Sequence, residues 1–268
     1  MLFRSGRREF VNISLLTIAS LHYLLFIYPN VANVTSNLNL SPIVELTPTG
    51  RYAVLAAAFL GLAFDGVELG LMPVASLSVT KSLLGEAYSD ADGGVWFARF
   101  TAALMLGAAI GGSLLGNLGD RIGRARAMGV SILFYSVFAG LGAHVHSQEQ
   151  MLMLRFFVGL GVGGVWPNAV ALVAECWPDK ARPTVAGLMG AAINAGILLL
   201  SQIAQLWPVT AGSWRWLFQL AAAPAMLGLA VIFFLPESPA WLAARGGTAT
   251  KKPAAPLREL FRPPLLRI

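Results

Sequence analysis

The chain has 268 residues, of which 56% are hydrophobic and 12% charged, with 19 basic against 13 acidic side chains and a net charge of +6. A soluble domain is about 25% charged, so this composition is that of a membrane protein. In a soluble protein the basic excess would point to nucleic acid. Here the basic residues lie in short loops between apolar runs, which orientation in a bilayer explains without a nucleic-acid partner. The single cysteine, Cys176, excludes an internal disulfide and a thiol pair for a metal. His22, His144 and His146 show no zinc-ligand grouping, and no phosphate loop, nucleophile elbow or dinucleotide fingerprint occurs. Neither a cofactor nor an enzymatic reaction is expected.

Residues 1–51 form an N-terminal extension. Arg4, Arg7 and Arg8 precede Phe10–Pro29, an apolar run just long enough to span a bilayer or to act as a signal sequence. With its basic end inside, such a span would reverse every later loop. Three readings stand: an extension foreign to the rest of the chain, a segment lying on the membrane surface, and a seventh span. Asn12-Ile-Ser14 and Asn33-Val-Thr35 fit the glycosylation pattern, but so short a pattern recurs by chance.

Six apolar stretches follow, at about 52–79, 95–118, 127–144, 150–174, 184–206 and 214–235, each of membrane-spanning length. The expected fold is all-α and integral to the membrane. Basic residues gather after the second, fourth and sixth stretches: Arg121, Arg124 and Arg126; Lys180 and Arg182; then Arg245, Lys251, Lys252, Arg258, Arg262 and Arg267. The opposite loops offer only Lys81, Arg99 and Arg215, and loop 80–94 carries Glu86, Asp90 and Asp92. Short basic loops stay inside, so both ends of the six-helix unit are expected in the cytoplasm.

The first stretch contains Asp65-Gly66-Val67-Glu68 near its middle. A spacing of three places both carboxylates on one helix face. An ionised acid at that depth costs about 2.5 kcal/mol or more, so it faces a cavity, finds a partner or holds a proton. Either the pair hydrogen-bonds neighbouring helices at a helix break, or it is a proton or substrate site. Repulsion between two close carboxylates favours a proton on one of them.

In the second stretch, Gly107-x-x-x-Gly111 and Gly112-x-x-x-Gly116 let helix backbones approach closely. Tyr135 in the third is assigned a structural place. The fourth opens Arg155-Phe-Phe-Val-Gly159-Leu-Gly161-Val-Gly163-Gly164 and continues to Trp166-Pro167-Asn168. An arginine inside an apolar run faces protein or water. Arg155 either pairs with the helix-1 acids or touches substrate, or it snorkels to the outer interface. Pro167 removes a backbone donor and is expected to bend the helix, with Asn168 the polar side chain nearest that bend. In the fifth stretch Asn194 lies deepest and either faces the pathway or bonds a neighbouring helix. Trp207, Trp214 and Trp216 fit an interfacial aromatic belt. Past Leu242, residues 243–268 read as a linker followed by a short amphipathic segment, Leu257–Arg262.

Between the second and third stretches lies Gly116-Asn-Leu-Gly-Asp120-Arg121-Ile-Gly123-Arg124-Ala-Arg126, which reads as a tight loop made possible by glycine. It resembles the loop between helices 2 and 3 of major facilitator superfamily transporters, Gly-x-Leu-x-Asp-Arg-x-Gly-Arg-x-Arg. The run from Arg155 through Pro167-Asn168 to Glu175-Cys-Trp-Pro178-Asp-Lys-Ala-Arg182 resembles the aromatic-acid:proton symporter branch. So does Asp65-Gly66-x-Glu68, where that branch has Asp-Gly-x-Asp. Related sugar and organic-ion porters share the Arg-x-x-x-Gly and Glu-x-x-Pro-x-x-x-Arg parts. Pro236-Glu237-Ser238-Pro239-Ala240-Trp241-Leu242 looks like the exit of sugar-porter-like members, with alanine where arginine is common.

The resemblance covers residues 52–268 and only the N-terminal half of a twelve-helix transporter: six helices as two three-helix inverted repeats. It implies a cavity lined by Asp65, Glu68 and Arg155, with Asn168 and Asn194 along the pathway. It also implies a cytoplasmic gating loop of Gly116, Asp120, Arg121, Gly123, Arg124, Glu175 and Arg182. The function it implies is proton-coupled transport of a small organic solute, an organic or aromatic acid before a sugar, in a bacterial inner membrane. The partners would be substrate, proton, lipid bilayer, and a missing C-terminal half or a second copy. The rival expectation is a non-transporting half that assembles with other membrane proteins.

Overall fold

The computed structural model describes residues 46–177 and 182–245, with the side chain of Arg182 outside the description. The expected apolar helix at 10–29, Pro178, Lys180 and the amphipathic segment beyond residue 245 lie outside the described residues.

Among the described residues, six helices are long and apolar enough to cross a membrane. Helix α1 is Pro48–Leu84, α2 Asp90–Ile122, α3 Arg124–Leu141, α4 Gln148–Cys176 and α5 Arg182–Leu206. The sixth span is α6, Arg215–Leu220, followed by α7, Pro224–Phe234; a short α8, Pro239–Arg245, comes after it. No strand occurs among the described residues.

Several ends extend past the apolar runs, because polar caps set them. Thr47 accepts a hydrogen bond from Gly50 N at 3.1 Å ahead of Pro48, so α1 begins within the expected extension rather than at residue 52. Ser89 and Asp92 form a capping box that starts α2 at Asp90. The sixth span is not continuous as expected. Pro224 has no N–H to give, and residues 221–223 form turns between α6 and α7.

The helix pairings carry an internal symmetry. Helix α2 packs on α4 and α5 on α1; α3 meets α7, and α1 meets α4. Exchanging each span for the one three later maps α2–α4 onto α5–α1, the pattern of two three-helix repeats. Both equivalent contacts rest on glycine. A methyl on Gly107 or Gly111 would strike the carbonyls of Phe156 or Leu160, and one on Gly159 or Gly163 those of Leu104 or Ala108. In the sister pair, Gly66 lies against Ile193 O and Gly196 against Ala63 O. Without hydrophobic drive between helices in lipid, such close approach supplies the packing energy.

Candidate functional site

The carboxylates of α1 point into the bundle. Asp65 is 3% exposed, Glu68 1% and Arg155 0%. Arg155 Nη1 donates to Glu68 Oε2 at 3.1 Å. The guanidinium lies 5.3 Å from the centre of the Phe218 ring, which gives the cation a second favourable contact. The expected pairing across the repeats is therefore present, and snorkelling is not.

The pair leaves much of the cluster's polar capacity unused. Asp65 Oδ1, Glu68 Oε1, and Arg155 Nε and Nη2 are buried with no hydrogen-bond partner. A purely structural ion pair satisfies its remaining lone pairs and protons, since each buried unpaired group costs free energy. Tyr135, read from sequence as structural, is fully buried on α3, where Gly161 of α4 packs against its Cβ.

Asn168 is expected along the pathway. It is buried, and its Nδ2 donates to Leu115 O of α2 at 3.0 Å and to Gly164 O at 2.8 Å. Its Nδ2 ties α4 to α2, while its Oδ1 is buried with no hydrogen-bond partner. Asn194 is exposed, and its contact is to Gly190 O of its own helix at 3.5 Å.

At one end of the bundle, the stretch read as an eleven-residue loop is mostly helix. Gly116, Asp120 and Arg121 lie in the last turns of α2, and Gly123 alone separates it from α3. The helical glycines serve packing: Gly116 touches Pro167, and a methyl on Gly119 would strike Asn168 Oδ1. Gly123 has φ of 110°, and a side chain there would also meet the Glu237 carboxylate. Glu237 accepts from Ala125 N at 3.0 Å and Arg126 N at 3.5 Å. An anion thus sits on the unsatisfied amides at the start of α3.

Arg124 bridges Asp120 at 2.6 Å and Glu175 at 3.7 Å. Ser238 Oγ donates to Glu175 and accepts from Trp241 N at 3.1 Å, while Trp241 Nε1 donates to Asp120 O at 2.9 Å. Arg245 stands 5.1 Å over the Trp241 ring and reaches Arg121 O at 3.5 Å, so a cation approaches the loop although Ala240 supplies none. Four helices, α2, α3, α4 and α8, meet here with the connection at 235–238. Glu237, Ser238 and Trp241 are members that the sequence showed only as an exit motif.

A family profile described as "Sugar (and other) transporter" matches residues 53–256. The cis,cis-muconate transport protein of Acinetobacter baylyi is 36% identical over 189 residues, 70% of this chain and 44% of that protein. Myo-inositol transporter 3C of Cryptococcus neoformans is 32% identical over 204 residues, covering 76% and 34%. The 4-hydroxybenzoate transporter PcaK of Acinetobacter baylyi is 30% identical over 229 residues, covering 82% and 47%. The chain thus spans between a third and a half of the length of these relatives. Among solved structures, the xylose transporter XylE from E. coli in a partially occluded inward-open conformation superposes with a TM-score of 0.65 at 22% identity. It covers 75% of this chain and 52% of that one, a likeness of fold. The six spans, their repeat symmetry and the matched profile agree: this chain is an integral membrane protein of the sugar (and other) transporter family within the major facilitator superfamily, a family of transporters and not of enzymes.

Proposed function

We propose that residues 48–245 form the N-terminal half of a proton-coupled transporter for a small organic acid, set in a bacterial inner membrane with both ends of the six-helix unit cytoplasmic. The observation that carries this reading is the incompletely satisfied cluster of Asp65, Glu68 and Arg155, buried where the first helices of the two repeats meet. Two carboxylates against one guanidinium leave one excess negative charge unless a proton is held. A low-dielectric interior favours the neutral count. Loading that proton from outside lowers the repulsion toward an anionic solute. Arg155 meets a solute carboxylate only when its bond to Glu68 opens. Alternating access needs a second half to rock against, supplied by a C-terminal half or a second copy.

The organic-acid preference rests on the muconate and hydroxybenzoate relatives. The myo-inositol relative at comparable identity favours a polyol or sugar as the second reading. Uptake of labelled muconate and myo-inositol by cells co-expressing this chain and a relative's C-terminal half separates the two. Asp65→Asn and Glu68→Gln are each expected to abolish proton-driven accumulation. Intact accumulation in both variants would remove the coupling assignment.

A further inference from the structure

Helices α4 and α5 leave a groove between them that encloses about 500 Å³. Helix α4 supplies one stripe, Trp166, Val170, Val173 and Trp177, at the three- and four-residue spacings of a single helix face. Val173, together with Val185 and Met189 of α5, is buried beneath it, whereas Trp166 is 43% exposed and leaves the groove open along one side. Among the described residues that line it, none is charged.

The shape limits what can lie there. From Trp166 to Trp177 a helix rises about 16 Å, so the groove's mean cross-section is at most about 30 Å². A helix with its side chains is about 10–12 Å across, too wide to enter, which excludes a span of a second half or of a second copy. An extended hydrocarbon chain, whose carbons make contacts at about 4 Å on either side, does fit. A polyol would bury its hydroxyls without partners.

Depth and polarity point the same way. A bilayer's hydrocarbon core is about 30 Å thick, so the groove runs the depth of one leaflet. In the orientation proposed above, Trp177 stands at its cytoplasmic end, the level at which tryptophans meet lipid headgroups. Its ring is set edge-on against Tyr52 of α1 at 5.6 Å between centres. Its Nε1 is buried with no hydrogen-bond partner, and an indole N–H can only donate. The occupant that completes this groove carries an acceptor oxygen at the interface and hydrocarbon below it. We propose that the α4–α5 groove is a phospholipid site of the cytoplasmic leaflet: one acyl chain lies along it from Trp177 to Trp166, and an ester carbonyl oxygen accepts from Trp177 Nε1.

The test reads retained lipid and needs no transport. The full chain is extracted from membranes, washed in detergent and weighed by native mass spectrometry, with dioleoyl phosphatidylethanolamine added back in increments. The parent chain is expected to hold one phospholipid. Ala174→Leu combined with Ala186→Leu narrows the groove from both helices and should abolish that adduct. Trp177→Phe keeps an aromatic ring against Tyr52 but loses the donor, and should weaken rebinding about five-fold, the effect of one neutral hydrogen bond. Leu198→Phe, at a 61% exposed position of α5 outside the groove, should change nothing. Added phosphatidylethanolamine should raise the melting temperature of the parent chain and leave that of the narrowed variant where it was. An adduct that survives in the narrowed variant, equal rebinding by Trp177→Phe and the parent, retention of detergent alone, or displacement of the lipid by muconate or myo-inositol overturns the proposal. The choice of leaflet rests on the proposed orientation, which this experiment does not read, and lipid retention does not depend on uptake, so the two readings fail separately.

Discussion

At the scale of the residue, the Glu68–Arg155 contact is worth more for what its loss exposes than for its own strength. Two buried ions repay their desolvation poorly, but removing one partner leaves the other uncompensated, at about 3–5 kcal/mol. Arg155→Ala is therefore expected to lower thermal stability in detergent far more than Arg155→Ala combined with Glu68→Gln. Nearly equal melting temperatures for the two would contradict the pairing seen at 3.1 Å. The carboxylates and the arginine were legible from sequence because charges inside apolar runs are rare. Phe218 was not, since an aromatic residue in a membrane helix is ordinary until its neighbours are known. Polarity beside a proline suggested a site at Asn168; its Nδ2 is engaged with Leu115 O and Gly164 O, and its Oδ1 is buried without a partner.

Helix elements here are joined by glycine at two kinds of place. Gly159 sits where α4 crosses α2, with its missing side chain facing the Leu104 carbonyl. Gly159→Val is expected to destabilise the unit by about 1–3 kcal/mol, the usual effect of overpacking, with loss of monodisperse protein in size-exclusion chromatography as the readout. Gly187, whose missing side chain meets nothing within 4 Å, is the control position. Gly123 serves differently, because its φ of 110° and the Glu237 carboxylate both exclude a side chain. The sequence motif marked the place correctly but suggested a loop. Gly116 and Gly119 continue the helix, and a single residue makes the turn.

For the whole molecule, the meeting of α2, α3, α4, α8 and the connection at 235–238 ties the end of the second repeat to the middle of the first. Glu237→Ala removes the carboxylate from the amides of Ala125 and Arg126. It is expected to cost about 0.5–2 kcal/mol, as loss of a helix cap does, and to speed hydrogen exchange at the start of α3. Unchanged exchange there would show that the cap contributes nothing. Its basic residues predict that this end faces the inside. An alkaline phosphatase fused after Ser213 is expected to be active and one fused after Arg245 inactive; the reverse pattern would invert the topology.

What the amino-acid sequence determined by itself is the class and the count: an all-helical membrane protein, six spans after residue 51, charges at the helix middles and basic loops at one face. Those follow from transfer free energies, which act residue by residue and need no partner. Which helices touch, that Arg155 takes Glu68 and that Glu237 closes the start of α3 were decided only in the tertiary structure. Glycines permit close approach along many helix faces, and only the simultaneous packing of both repeats selects the faces that meet.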